Sequence, residues 1–297
     1  MKNLLIYINP SHDFGEEEKI TVKIQIDNSL DLGWKKEDIL LVTNFPYEYR
    51  GIKALIVGDE NYCVSIPATS KINTIVDLFM IQNLIDMFKI NTIIDLFDKK
   101  IISKPHSEEK GELYWYHDLD VFQNFEFTEQ EIESELGKAE LGLTDKGRMP
   151  RWNSGTLFFR ESAVDIFNQI KEIAYKYGVT DEDALMVLYT NNLLWATEPE
   201  LEETIDERVV PANIPGMEKA GERIKKINIT YNLRMVNIDS TYKMGVKPIR
   251  AIQFHPFAPA PPGYVNNLDF FMYGKNKINT VLMSERLIKI FHKHGVR

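Results

Sequence analysis

The sequence contains a single cysteine, Cys63, and no long hydrophobic run. One thiol excludes an intrachain disulfide framework and is typical of proteins from reducing compartments. The first apolar segment ends at Asn9-Pro10, too early for the roughly 7–15-residue core of a secretory signal. No other run approaches the ~20 apolar residues that cross a bilayer. We therefore expect a cytoplasmic protein without a membrane span.

Positive charge is also scarce. The chain has 35 Lys and Arg residues against 44 Asp and Glu, which gives a net charge of −9. Because nucleic-acid backbones are bound by clustered Lys and Arg, this balance argues against plain nucleic acid as the main partner. A divalent metal ion can still join an acidic site to a phosphorylated substrate.

Continuous apolar segments alternate with helical patterns along the chain. This alternation indicates an α/β fold with a mixed, mostly parallel central sheet that is flanked by helices. Ligands of such sheets lie at the carboxyl ends of the strands. Strands are predicted over Leu4–Ile8, Asp38–Phe45, Ala54–Val57, Leu113–Gln123, Trp152–Phe159, Ile227–Val236 and Arg250–Phe254. Helices are predicted within 71–98 and over Glu126–Glu140, Glu161–Gly178, Asp181–Thr190 and Leu282–His292, while residues 20–33 have a mixed pattern.

The region 71–98 contains an internal repeat. Lys71–Phe79 reads KINTIVDLF and Lys89–Phe97 reads KINTIIDLF. The spacing corresponds to about five helical turns, so one or two amphipathic helices are predicted. Neither the spacing nor the length fits a solenoid, and we interpret the repeat as a coincidence of helix-forming residues.

The segment Leu113–Gln123 is the most informative part of the sequence. A run of aromatic and apolar residues ends there on Asp118 and Asp120. In an extended strand these two positions share a face, so both carboxylates are expected to converge where the strand leaves the core. Two hard oxygen donors suit Mg²⁺ or Mn²⁺ together with phosphate oxygens. A charged strand end that faces solvent is the alternative.

Other polar residues have equally simple structural interpretations. Asn153-Ser154-Gly155 predicts a turn before a strand, although Gly155 permits close approach of a ligand. Thr180 and Asp183 have the spacing of a capping box. Three carboxylates in Asp181–Asp183 exceed what capping requires, which makes them candidates for a base or a nucleophile.

Two further residues are candidates for ligand contacts. His255 ends a predicted strand and has the chemistry of a Mn²⁺ ligand, although a turn role is the simpler interpretation. Lys71, at a predicted helix start, is placed to reach a diphosphate or to lie in solvent. His117 is expected on the opposite face of its strand from the two aspartates, in the core or behind the site.

The order of these motifs resembles the GT-A class of nucleotide-sugar-dependent glycosyltransferases. Asp-x-Asp, Asn-Ser-Gly, Asp-Glu-Asp and a late strand that ends in His follow one another over roughly residues 1–260. The succession is most similar to the retaining branch that includes glycogenin and the bacterial lipopolysaccharide galactosyltransferases. The resemblance implies one GT-A (Rossmann-like) domain over 1–297, with a nucleotide-sugar-binding half at 1–123 and an acceptor-binding half at 124–297.

The resemblance also implies a role for each matching residue. Asp118, Asp120 and His255 would bind Mn²⁺ or Mg²⁺, with Asp118 also near the donor. Lys71, Asn153 and Gly155 would contact the donor. Asp183 and Glu182 would be the catalytic pair, with Asp183 on the sugar hydroxyls and Glu182 near the anomeric carbon. Apart from the resemblance, these residues are candidates only because of their own positions and spacing in the sequence.

The sequence departs from the pattern of that branch at two places. Glu182 stands where Gln is frequent, which indicates either a true nucleophile or a shifted register of the motif. The Gly-x-x-Lys-Pro-Trp that follows the metal-binding His is absent, and Arg148, Arg151 or Arg234 is expected to replace its lysine.

The function that the resemblance implies is metal-dependent transfer of a sugar from a nucleoside-diphosphate sugar, with a UDP-sugar expected, to a hydroxyl acceptor, with retention as one stereochemical option. A glycan, a protein or another hydroxyl serves as acceptor, and a modified base in DNA stays open. Asp118-Leu119-Asp120-Val121 also fits a haloacid dehalogenase-like phosphatase that uses Asp118 as nucleophile. A nucleotidyltransferase and a non-catalytic binding module are the remaining alternatives.

Overall fold

The structure is a computed structural model. It describes residues 1–62, 87–102, 111–145, 152–177, 180–189, 221–235, 242–254 and 282–296. The predictions for Lys71, Arg148, Arg151 and His255 fall outside these ranges. None of the helices in the described ranges has the length and hydrophobicity needed to cross a membrane.

Twelve strands are found in the described residues. In chain order they are β1 (Lys2–Tyr7), β2 (Ile39–Thr43), β3 (Glu48–Tyr49), β4 (Ile52–Lys53), β5 (Leu55–Ile56), β6 (Leu113–His117), β7 (Val121–Gln123), β8 (Leu141–Asp145), β9 (Trp152–Arg160), β10 (Ile224–Ile227), β11 (Leu233–Arg234) and β12 (Ala251–Gln253). Seven of them form the central sheet in the order β10-β8-β9-β6-β1-β2-β5. Neighbours are parallel except that β9 runs antiparallel to β6 and β8. The predicted mixed, mostly parallel sheet is therefore confirmed.

The described α-helices are α1 (Glu16–Asp31), α2 (Phe88–Asp98), α3 (Glu129–Leu136), α4 (Val164–Tyr177), α5 (Asp181–Tyr189) and α6 (Glu285–Lys293). Helices cover both faces of the central sheet. Alternate residues of strand β1 therefore pack against different helices. Leu4 and Ile6 of β1 join a buried cluster with α2, α4 and α5. Leu5, between them, joins a cluster with Val22 and Ile26 of α1. Strands buried on both faces read as continuous apolar runs, which is why the sequence predicted them well.

The mixed segment 20–33 forms most of helix α1. Its apolar residues belong to two buried clusters. Val22 and Ile26 pack against the central sheet, whereas Ile24 packs with β7 and α6. A helix that is buried on more than one face has no single apolar stripe. Its polar residues Gln25 and Asn28 are buried as well.

The predicted strand Ile227–Val236 is wrong over most of its length. Strand β10 ends at Ile227, a turn of 3₁₀-helix covers Ile229–Tyr231, and only the two residues of β11 follow. The side chain of Asn228 accepts a hydrogen bond from the backbone N–H of Thr230 at 2.9 Å. Such a local side-chain bond offers the backbone an alternative to the sheet, and here it ends the strand. The two residues of β11 pair instead with β12, which also pairs with β7.

A cluster of charged residues around Asp27 attaches the last helix to the first. The Asp27 carboxylate, whose side chain is 5% exposed, accepts hydrogen bonds from Arg50 Nε at 2.9 Å and Lys293 Nζ at 2.6 Å. His294 Nε2 lies 2.9 Å from the same carboxylate. Burial alone would raise the pKa of Asp27, but the hydrogen bonds from Lys293, Arg50 and His294 outweigh it and lower the pKa to about 2.

The variant Asp27→Asn is expected to be destabilised by about 2 kcal/mol near neutral pH, less than for a fully buried ion pair because Arg50 and Lys293 are half exposed. A carboxyl whose folded-state pKa is lowered stabilises the fold above its unfolded pKa, and this contribution disappears as pH falls through the folded value. The stability difference between wild type and variant should therefore shrink between about pH 4 and pH 2. Urea unfolding at a series of pH values measures it, with exposed Asp98→Asn as control. A difference that stays constant down to pH 2 would contradict the assignment.

Candidate active site

A cleft of about 680 Å³ opens at the carboxyl ends of β1 and β6. Its described lining is rich in acids. The acidic residues are Glu17, Glu18, Asp118, Asp120, Asp181 and Glu182, and the basic ones are Lys89 and Arg234. A cleft with this excess of carboxylates concentrates cations, since low-dielectric walls focus the field of like charges. The cleft lies at the carboxyl ends of the strands, where the sequence analysis expected a ligand to bind.

Asp118 and Asp120 both line the cleft, but they do not belong to an extended strand as predicted. Strand β6 ends at His117, and the N–H of Val121 donates to the carbonyl of Asp118 at 3.0 Å across a turn. Two contacts from distant segments produce this turn. The Asp118 N–H donates to the carbonyl of Gly155, and the Phe254 N–H donates to the carbonyl of Asp120, each at 2.9 Å. The chain thereby leaves the central sheet and enters the three-stranded sheet of β11, β12 and β7.

Each of the two carboxylates has a polar neighbour on another residue. The Tyr116 hydroxyl donates to Asp118 Oδ1 at 2.5 Å, and Gln253 Nε2 donates to Asp120 Oδ1 at 3.3 Å. The backbone between them is held from α1, where Gln25 Nε2 donates to the carbonyls of Leu119 and Val121 at 2.9 and 2.5 Å. The carboxylates are thus oriented before any ligand binds.

Asn153, Ser154 and Gly155 lie inside strand β9, so the predicted turn is wrong. The antiparallel register sets His117 opposite Thr156, which brings the first residues of β9 beside the end of β6. A Cβ atom on Gly155 would lie 3.0 Å from Asp118 Oδ2 and 2.7 Å from Gln253 Nε2. A side chain at this position would therefore displace the polar ends of Gln253 and Asp118, which line the cleft.

Helix α5 begins as the capping-box spacing predicted. The Asp183 N–H donates to Thr180 Oγ1 at 3.1 Å, and the hydroxyl donates back to Asp183 Oδ2 at 2.9 Å. Asp183 is not among the residues that line the cleft, whereas Asp181 and Glu182 are. The Glu182 carboxylate accepts a hydrogen bond from the Ser154 N–H at 3.2 Å. Of the predicted catalytic pair, the structure thus brings Glu182 to the cleft and gives Asp183 a capping role.

A buried lysine, Lys89, is the main site residue that the sequence analysis missed. Its Nζ lies 3.0 Å from Asp181 Oδ2 and donates to Ser154 Oγ at 2.8 Å. The side chains of Lys89 and Asp181 are only 6% and 3% exposed. The signal that could have identified Lys89 is the KINT repeat, since Lys89 occupies in the second copy the position that Lys71 occupies in the first.

His117 lies behind the two aspartates, as predicted. Its Nε2 is 2.9 Å from Asn3 Oδ1, and its Nδ1 is 3.2 Å from the carbonyl oxygen of Asp118. Burial lowers the pKa of His117 to about 4, although the carbonyls of Asp118 and Val121 oppose the shift. The imidazole is therefore neutral near pH 7 and supports the backbone of Asp118.

The donor set of the cleft fits a divalent cation that is shared with a phosphorylated ligand. In the part of the chain that the structure describes, no group of three His, Cys, Asp or Glu residues is arranged around a common point. Mg²⁺ in proteins is typically bound through one or two carboxylates plus substrate phosphates and water. Asp118 and Asp120 supply that number of hard oxygen donors at the edge of the cleft.

Comparison with known proteins identifies the fold. No protein-family model and no curated protein matches the chain. Among solved structures, it is similar to an active-site variant of LgtC in which glutamate replaces glutamine, with a TM-score of 0.52, 12% identity, and coverage of 99% of this chain and 96% of that chain. It is also similar to the galactosyltransferase LgtC in complex with donor and acceptor sugar analogues, with a TM-score of 0.50, 14% identity and the same coverage.

These similarities establish the architecture. The chain has the GT-A fold of glycosyltransferases, and the fold predicted from its motifs is confirmed. Because fold alone does not define a reaction, the activity has to be argued from the residues of the cleft.

Proposed function

We propose that the protein is a metal-dependent glycosyltransferase. It moves a sugar from a nucleoside-diphosphate sugar, a UDP-sugar in the first instance, to a hydroxyl of a glycan or protein acceptor in the cytoplasm. One observation carries the proposal: Asp118, Asp120, Lys89, Asp181 and Glu182 come from three separate segments and line one cleft. Neither capping nor surface solvation explains that convergence.

Asp118 and Asp120 are proposed to hold Mn²⁺ or Mg²⁺ beside the diphosphate. When bound, the ion stabilises the negative charge that develops on the departing diphosphate. The surrounding residues fix the two carboxylates in advance, since Tyr116 and Gln253 donate to them and Gln25 holds the turn. Preorganised ligands of this kind need little rearrangement during the reaction.

The opposite wall of the cleft is proposed to bind the transferred sugar. Lys89 donates to Ser154 Oγ there and forms a buried ion pair with Asp181, which gives donors and acceptors suited to sugar hydroxyls. Gly155 lines the cleft and leaves room for the side chains of Asp118 and Gln253, while the buried Asn153 donates to Gln253 and accepts from the Gly155 N–H. Asn153 lines the cleft as well, so the donor contact expected of it remains part of the proposal.

Glu182 is proposed to lie near the anomeric carbon. A retaining reaction through Glu182 would proceed in two displacements. Its carboxylate would attack the anomeric carbon as the bond to the diphosphate oxygen breaks, and the acceptor hydroxyl would then displace Glu182 and lose its proton.

The alternative reactions are less well supported. A haloacid dehalogenase-like phosphatase would use Asp118 on a different architecture, whereas the chain has the fold of a galactosyltransferase. A nucleotidyltransferase shares this kind of sheet but needs a Gly-rich, basic loop after the first strand, and residues 9–15 fit that pattern poorly. A haloacid dehalogenase-like enzyme would also need a nucleophile at position 118, and the Asp118 carboxylate instead accepts a short hydrogen bond from Tyr116.

A thermal-shift screen of nucleoside diphosphates with and without Mn²⁺ tests the proposal. A ligand at 100 times its dissociation constant stabilises the folded state by about 2.7 kcal/mol, which is a clear shift for a chain of this size. We expect one diphosphate, UDP or a close relative, to raise Tm only when Mn²⁺ is present. The matching nucleotide sugar should then release that diphosphate slowly in water. Equal shifts with and without metal, or none with any diphosphate, would contradict the proposal.

A further inference from the structure

A ring of hydrogen bonds and backbone connects the backbone N–H of Asp118 to the carboxylate of Asp120 at the candidate metal site. The Asp118 N–H donates to the carbonyl of Gly155 at 2.9 Å, and the Gly155 N–H donates to Asn153 Oδ1 at 2.9 Å. Asn153 Nδ2 donates to Gln253 Oε1 at 3.0 Å, and Gln253 Nε2 donates to Asp120 Oδ1 at 3.3 Å. The Asp118–Val121 turn closes the ring.

Gln253 is the member of this ring that reaches the Asp120 side chain. It is buried in β12, directly opposite Val121 in the antiparallel register with β7. Its amide is used on both sides, since Oε1 accepts from Asn153 and Nε2 donates to Asp120. The bond from Asn153 therefore fixes which end of the amide faces the carboxylate, because an amide has one accepting and one donating end.

The backbone of the turn does not depend on the Gln253 side chain. Gln25 donates to the carbonyls of Leu119 and Val121, and the Phe254 N–H donates to the carbonyl of Asp120. Removing the Gln253 amide therefore leaves the path of the chain in place. It removes the hydrogen bond to the Asp120 carboxylate and the one from Asn153 Nδ2.

We propose that Gln253 is a positioning residue that orients Asp120 for a divalent cation, with Asn153 as its support. The proposal rests on the metal site of the proposed function. Outer partners that orient ligating carboxylates typically change metal affinity 10–100-fold when they are replaced. In this arrangement Asn153 acts on the cation through Gln253 and Asp120.

Two substitutions of Gln253 distinguish an orienting role of its amide from a packing role of its side chain. Gln253→Leu keeps the approximate volume but removes both hydrogen bonds. Gln253→Glu keeps an acceptor for Asn153 and turns a carboxylate oxygen toward Asp120. Two anions at that distance repel each other without metal, and a cation between them relieves the repulsion. The two variants are therefore expected to affect metal binding in opposite directions.

The experiment is a calorimetric titration of the metal-free full chain with Mn²⁺ in the presence of saturating UDP, together with Tm at zero and saturating Mn²⁺ with the same UDP present. Gln253→Leu is expected to weaken Mn²⁺ binding about tenfold or more. Gln253→Glu is expected to lower Tm without metal and to show a larger Mn²⁺-induced rise in Tm than wild type. Gln130→Leu and Gln130→Glu, on the exposed side of α3, provide matched controls with unchanged affinity.

The possible results are distinguishable. Wild-type affinity in Gln253→Leu, combined with loss of binding in Asp120→Asn, would overturn the positioning role and leave the proposed function intact. Equal Mn²⁺-induced shifts in Gln253→Glu and wild type would overturn it as well. If wild type itself binds no Mn²⁺, the metal dependence of the proposed function fails and the role of Gln253 fails with it.

Discussion

Replacement of Asp120 with Asn is expected to reduce sugar transfer and donor hydrolysis by about a thousandfold or more, equivalent to about 4 kcal/mol of transition-state stabilisation. The reason is electrostatic. The amide keeps the shape of the side chain but removes one of the two negative charges that would hold the cation against the diphosphate. The loss should appear in kcat and in the Mn²⁺-dependent stabilisation by the diphosphate. Rates of nucleotide release from the donor, measured over a range of Mn²⁺ concentrations, quantify both effects.

Asp98→Asn is the matched control for this variant. Asp98 is exposed at the end of α2 and does not line the cleft, so the same change of charge there should leave the rate within a factor of two or so, as is usual for surface substitutions. Activity of Asp120→Asn close to that of Asp98→Asn would remove Asp120 from the metal site. Recovery of the rate at high Mn²⁺ would instead show that the lost charge weakens binding of the ion and leaves the later steps intact.

The central sheet was predictable because its signal is local and repeated. Leu4, Leu5 and Ile6 are all buried, on alternate faces, and such continuous apolar runs mark strands that are covered on both sides. The N-cap contact between Thr180 and Asp183 was predictable for the same reason, since its donor and acceptor are three residues apart. Local chemistry of this kind can be read directly from a sequence.

The geometry of the site depends on contacts between distant segments, and there the sequence predictions were less successful. The pattern from Leu113 to Gln123 suggests one uninterrupted strand, yet Gly155 and Phe254 bend it into a turn at Asp118–Asp120. Neither partner is near that segment in the sequence. Gln253 was overlooked because a buried glutamine has no motif of its own.

The same cause explains why the sequence analysis missed Lys89 and could not rank the three acids of Asp181–Asp183. Lys71 and Lys89 precede nearly identical segments, and only the fold shows that Lys89 meets Asp181. Within Asp181–Asp183 the three carboxylates are indistinguishable by composition. The helix geometry separates them, because Asp183 turns back to its cap while Asp181 and Glu182 face the cleft.

Lys89→Met is expected to lower the free energy of unfolding by about 3 kcal/mol, because it leaves the nearly fully buried Asp181 carboxylate without its cation. Activity should also be lost, since Ser154 and Asp181 would no longer be held in place. Lys89→Arg, which keeps the charge, should restore part of both. Urea unfolding and the donor-hydrolysis rate provide the two readouts. Lys99→Met, at the far end of α2 with a side chain 52% exposed, should change stability by less than about 1 kcal/mol.

The double variant Lys89→Met/Asp181→Asn separates the structural role of the ion pair from its role in the site. With both charges removed, no unpaired charge stays buried, so the double variant should be more stable than Lys89→Met alone. Its activity should nevertheless stay as low as that of the single variant, because the groups proposed to meet the sugar hydroxyls are missing. A double variant that is as unstable as the single one would show that Lys89 stabilises the fold by packing. A double variant that regains activity would place sugar recognition elsewhere in the cleft.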